Sequence, residues 1–111
     1  MSVTHIPLEQ LQASAGQAAS LLRALSNEKR LMVLCQMSNR ELSVGELLPG
    51  LGLSQSALSQ HLARLREEGL VATRREGTTI FYRIADPAVL KLIAVLAEIF
   101  CPPSTTSRPD P

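Results

Sequence analysis

The sequence predicts a mainly α chain with a single β-hairpin: five helices and two strands, with no internal repeat. Three observations carry that reading. Apolar residues recur at helical spacing in five segments, and four of these open on a residue suited to cap a helix. One stretch alone, Val71 to Ile84, is rich in β-formers, and Glu76-Gly77 interrupts it as a hairpin turn would. The length of 111 residues, 45% hydrophobic and 19% charged, suits one globular domain with a modest core.

Taken in order, residues 1–7 read as a flexible start. Leu8, Leu11, Ala15, Ala18 and Leu22 then mark a first helix over about residues 8–24. Asn27 caps a second helix, in which Leu31, Leu34 and Cys35 share a face and which ends near Ser38. Ser43-Val44-Gly45-Glu46 has the spacing of a capping box, where hydroxyl and carboxylate satisfy each other's backbone amides. The short helix it opens stops around Pro49 to Gly52. Ser54 caps the next helix, which runs to Gly69. In the hairpin Ile80, Tyr82 and Ile84 alternate with Phe81 and Arg83, so one face packs inward. Asp86-Pro87 starts the last helix with a capping side chain followed by proline at the first helical position. That helix ends at Cys101, because Pro102 and Pro103 cannot continue it. Residues 102–111, PPSTTSRPDP, have the composition of a disordered tail, which leaves 8–101 as the folded domain.

The last helix is apolar nearly all round. Leu90, Ala94, Ala97 and Cys101 form one stripe, Val89, Ile93, Leu96 and Phe100 a second, and Leu92, Val95 and Ile99 a third. A helix of that kind must be covered on several sides, more than a domain of this size supplies. A homodimer sealed by this helix and the Ala-rich first helix is the expectation. No apolar run is long enough to span a membrane, and the N-terminus lacks the basic stretch and apolar core of a secretory signal. A cytoplasmic protein is therefore expected.

The net charge of +1 excludes a protein that coats nucleic acid by bulk electrostatics, but the charge is not evenly spread. Residues 54–83 hold Arg64, Arg66, Arg74, Arg75 and Arg83 against Glu67, Glu68 and Glu76. Phosphate contact needs positive charge only where a backbone passes. Residues 43–69 also run helix, glycine-bearing turn, helix, the order of a helix-turn-helix. In the second of these helices Leu58, Leu62 and Leu65 must face the core, and the opposite face shows Ser56, Gln60 and Ala63 flanked by Ser59 and Arg64. Gln pairs with adenine, Arg with guanine and Ser with either, so this face suits a major groove of double-stranded DNA. Ser54, Gln55 and Ser56, with the free amides of the first turn, suit phosphates. Arg74 and Arg75 before the hairpin tip and Thr78 and Thr79 after it place cations and hydroxyls where a wing meets the duplex. Together these features predict a winged helix-turn-helix.

The run ELSVGELLPGLGLSQSALSQHLARLREEGLVATRREGTTIFYRI resembles the ArsR/SmtB family of winged-helix repressors, and LLRALSNEKRLMVLCQM resembles that family's second-helix region. The resemblance covers about residues 18–101. It implies a dimeric bacterial repressor that binds a palindromic operator and is released by an inducer. Metal-sensing members carry Cys-x-Cys before the recognition helix, where this chain has Ser43-Val44-Gly45. Others use His and carboxylates on the last helix, where residues 87–101 offer only Glu98. His5 and His61 are the only histidines, so a metal site is hard to assemble, and His61 reads as a packing or phosphate-contacting residue.

Cys35 and Cys101 remain. Cys35 on an apolar face reads by itself as a small buried residue, whereas Cys101 at a helix end is reachable. Their placement resembles the sulfur- and redox-sensing branch of the family, which implies that the pair is bridged by a disulfide or polysulfide when persulfides or oxidants appear. The alternatives are a metal sensor using both cysteines from two subunits, and a winged helix serving as a protein-interaction module. An enzyme is not expected. No Ser/His/Asp or Cys/His constellation can be placed, and Gly50-Leu51-Gly52 matches no phosphate-binding fingerprint, so no cofactor is expected either.

Overall fold

Caps and apolar spacing delimit the helices closely. The structure, a computed structural model, describes residues 5–101. The expected tail at 102–111, and most of the expected flexible start at 1–7, lie outside the described residues. In chain order the elements are α1 (Leu8–Leu25), α2 (Glu28–Gln36), β1 (Leu42–Ser43), α3 (Val44–Leu47), α4 (Gln55–Glu67), β2 (Val71–Glu76), β3 (Thr79–Ile84) and α5 (Pro87–Phe100).

Each expected cap is formed. The Asn27 side chain accepts from the Arg30 amide at 3.0 Å, Ser54 Oγ from Ala57 at 3.0 Å and Asp86 Oδ1 from Ala88 at 2.9 Å. The capping box of α3 is reciprocal: Glu46 N–H donates to Ser43 Oγ at 3.2 Å and Ser43 N–H to Glu46 Oε1 at 2.9 Å. These bonds satisfy amides that the first turn of a helix leaves unpaired.

The sheet corrects the expectation of two strands. It has three, in the order β1-β3-β2, all antiparallel, with Leu42 opposite Tyr82 and Ser43 opposite Phe81. The cause is local. A helix N-cap must be extended, Ser43 has φ −85° and ψ 169°, and that conformation lies against the open edge of β3. At the other edge, β2 and β3 join through Gly77-Thr78 with Glu76 opposite Thr79. Gly77 has φ 64° and, among the described residues, no non-glycine residue has positive φ, the pattern of a type II′ hairpin turn.

The core is aliphatic, as the scarcity of aromatics requires. Val33 and Leu34 of α2, Leu47 of α3, Leu51, Leu58, Leu62 and Leu65 in and before α4, and Val89 of α5 are fully buried in one cluster. Helix α5 sinks Val89 and Ile93 but leaves Leu90, Val95, Ile99 and Phe100 in solvent, so it is not a central core helix. Helix α1 buries only Ala24 and Leu25 and exposes Leu8, Leu11 and Leu22. Among the described residues no helix is long and apolar enough to cross a membrane.

Candidate nucleic-acid interface and thiol pair

Helix α4 presents two unlike faces. Leu58, Leu62 and Leu65 are buried to zero exposure, and this locks the rotation of the helix about its axis. The opposite side then carries Ser56, Ser59, Gln60, Ala63 and Arg64 into solvent, with Ser54 and Gln55 exposed at its start. The turn between α3 and α4 is held from outside: Lys29 Nζ of α2 donates to the Leu51 carbonyl at 2.6 Å. The candidate reading face is thus fixed by the packing behind it, not by contacts of its own.

On the hairpin Arg74, Arg75, Thr78 and Thr79 are all exposed. Arg74, however, is engaged within the chain. Its Nε and Nη2 donate to Glu41 Oε1 at 3.0 and 2.8 Å, Glu76 lies 3.6 Å from Nη1, and the guanidinium sits 4.9 Å from the Phe81 ring centroid. The hydrogen bond from Arg74 is the main reason the Glu41 carboxyl is held below its usual value. This pair braces the wing against the segment before β1. Arg75 follows on the opposite face of β2, and among the described residues it forms no ion pair.

His61 is half-buried beside the reading face. Burial first, then the neighbouring charges of Arg30 and Arg64, hold its imidazole below the ordinary histidine value. Arg30, on the first turn of α2, and Glu41 belong to this region although sequence reasoning did not single them out. Each meets its partner from a distant part of the chain, and no local spacing announces such a meeting.

The two cysteines lie at element ends. Cys35 is on the last turn of α2 and Cys101 is the residue that ends α5, its N–H donating to Ala97 O at 2.8 Å. Both are free thiols and both are exposed, so Cys35 is not the buried small residue its apolar face suggested. Leu34 takes the core position and turns its neighbour outward. Partial burial against the helix, and next the proximity of Cys101, push the Cys35 thiol above its ordinary value. Among the described residues no group of three or more His, Cys, Asp or Glu side chains is placed to hold a metal ion.

A short helix, a braced turn, a second helix with a polar outer face and a three-stranded wing define a winged helix-turn-helix, the architecture of a DNA-binding transcriptional regulator. Comparison with known proteins narrows the class. Residues 27–73 match the family described as bacterial regulatory protein, arsR family. The chain is 48% identical over 94 residues to the transcriptional activator HlyU of Vibrio cholerae, covering 85% of this chain and 87% of that protein. It is 52% identical over 96 residues to the HTH-type transcriptional regulator YgaV of Escherichia coli, covering 86% and 97%. Among solved structures, reduced HlyU from Vibrio cholerae superposes with a TM-score of 0.80 at 48% identity over 85% of this chain and 99% of that one. The transcriptional repressor BigR from Xylella fastidiosa gives 0.80 at 42% identity over 86% and 98%. The chain belongs to the arsR family of bacterial regulators. It is a DNA-binding transcription regulator and not an enzyme.

Proposed function

We propose that the chain is a homodimeric repressor that binds a palindromic operator and is released when an oxidant or reactive sulfur species bridges Cys35 to Cys101. The observation that carries the reading is the presence of two free, exposed thiols at the ends of α2 and α5, with the charge of Cys101 among the causes that raise Cys35. With peroxide the two thiols each lose a hydrogen, a disulfide forms, and the peroxide leaves as water. With an organic persulfide each thiol takes the outer sulfur and releases the donor's thiol, and the two resulting cysteine persulfides condense to a trisulfide bridge with loss of hydrogen sulfide. Two relatives support the reading: BigR is described as a repressor, and HlyU has been solved in a form described as reduced.

DNA contact falls to Ser54, Gln55, Ser56, Ser59, Gln60 and Arg64 of the reading helix and to Arg75, Thr78 and Thr79 of the wing. Arg74 acts mainly by bracing that wing through Glu41. A second copy of the chain covers the apolar faces of α1 and α5, which stand exposed in the single chain. Bridging then ties α2 to α5, the helix at the seam, and alters the separation of the two reading helices. That separation must match one turn of duplex, ~34 Å. A coupling of ~1–3 kcal/mol weakens binding roughly 5–150-fold, enough to free a promoter. Fluorescence-anisotropy titration of a duplex from the gene's own promoter tests this with reduced, peroxide-treated and persulfide-treated protein. Weaker binding after treatment, abolished by Cys35→Ser, is expected; equal affinity in all three states overturns it.

A further inference from the structure

An open groove of about 930 Å³ runs between α2 and α4, lined by Asn27 and Arg30 on one side and by Gln60, His61 and Arg64 on the other. It is cationic. The Arg30 guanidinium, always charged, faces the same imidazole as Arg64, and both disfavour a proton on His61. Among the described residues the ion pairs within 4 Å belong to Arg74, so neither Arg30 nor Arg64 is neutralised, although Glu67 lines the same groove. One donor is also stranded: Arg30 Nε is buried and has no hydrogen-bond partner. That Nε is sealed from solvent, so it is the outer guanidinium nitrogens of Arg30, held by no ion pair among the described residues, that the groove offers to an acceptor. Asn27 is not that acceptor, because its side-chain oxygen is committed to the Arg30 backbone amide.

We propose that this groove seats a phosphate of the DNA backbone, with Arg30 as its main donor and His61 beside it, at the flank of the major groove that Gln60 and Arg64 read. The inference rests on the DNA-binding reading above and adds α2 to the interface. Continuity favours DNA over a small anion, since Gln60 and Arg64 belong both to the reading face and to the groove wall. Chemistry favours it too: the planar guanidinium fork matches phosphate oxygens.

The test titrates reduced, full-length protein with the promoter duplex and with a random-sequence duplex over a series of salt concentrations. Arg30→Met is expected to weaken binding to both duplexes by the same factor. It is also expected to lower the slope of log affinity against log salt by about 0.9 for each protomer bound, one phosphate contact's worth of counterion release. Arg30→Lys is expected to restore the slope, and Gln60→Ala to reduce only the preference for the promoter. An unchanged slope in Arg30→Met overturns the proposal. So does an Arg30→Lys variant that fails like Arg30→Met and melts at a lower temperature, because the guanidinium is then structural. Stabilisation of wild type but not Arg30→Met by inorganic phosphate, with DNA binding unaltered, assigns the groove to a free anion and overturns it as well. Failure of wild type to bind either duplex removes the DNA reading itself, a result distinct from all of these.

Discussion

Single residues decide the chemistry of this chain, and the two thiols show how. Cys35 is turned outward because Leu34 occupies the core, and its thiol is held up partly by Cys101. Replacing Cys101 with serine removes a neighbouring negative charge, so the Cys35 value must fall. The alkylation rate of Cys35 followed against pH checks this: the Cys101→Ser profile is expected to shift to lower pH, and an unmoved profile means that the sulfurs are not neighbours. What could be read at this scale from residues alone was uneven. The side-chain types on the reading face were legible, since helical spacing places Gln60 opposite Leu62 and Leu65. The exposure of Cys35 was not, because Leu31 and Leu34 share its face and only packing decides which of them goes inward. The Glu41–Arg74 pair was equally invisible, as its partners come from different segments and meet only when β1 joins the sheet.

At the scale of elements, α4 separates stability from recognition. Its buried leucines orient the helix and its outer face is the one proposed to read DNA, so substitutions on the two sides differ in kind. Leu62→Ala opens a cavity at a fully buried position and is expected to cost about 2–5 kcal/mol of stability in a denaturant titration. Gln60→Ala, at an exposed position, is expected to leave stability within about 0.5 kcal/mol while weakening promoter binding. A Gln60→Ala protein that unfolds more easily and binds DNA unchanged contradicts that division. Element boundaries were largely readable, because capping is local chemistry: Asn27, Ser43, Ser54 and Asp86 each bond within three residues of themselves. The third strand was missed for the converse reason. Leu42–Ser43 is two residues long, carries no pattern of its own, and is a strand only because β3 offers it an edge.

For the whole molecule, the uncovered apolar surface is the governing fact. Val95 is 49% exposed, Ile99 61% and Phe100 73%, side by side on a helix that a lone domain has no reason to keep. Ile99→Glu puts a charge at the proposed seam and is expected to yield monomers in sedimentation equilibrium and to lose most affinity for a promoter duplex, since a single protomer then has one half-site to bind. Unimpaired dimers from that variant place the seam elsewhere. Helix α4 is packed firmly within one chain, so in the proposed dimer the distance between two such helices is the quantity that bridging of α2 to α5 would change.

Sedimentation velocity of the protein mixed with its promoter duplex, before and after persulfide treatment, reaches that claim most directly. Two protomers on each duplex in the reduced state, and free duplex after treatment, are the predicted boundaries. One protomer per duplex, or an undiminished complex once Cys35 and Cys101 are bridged, contradicts the account.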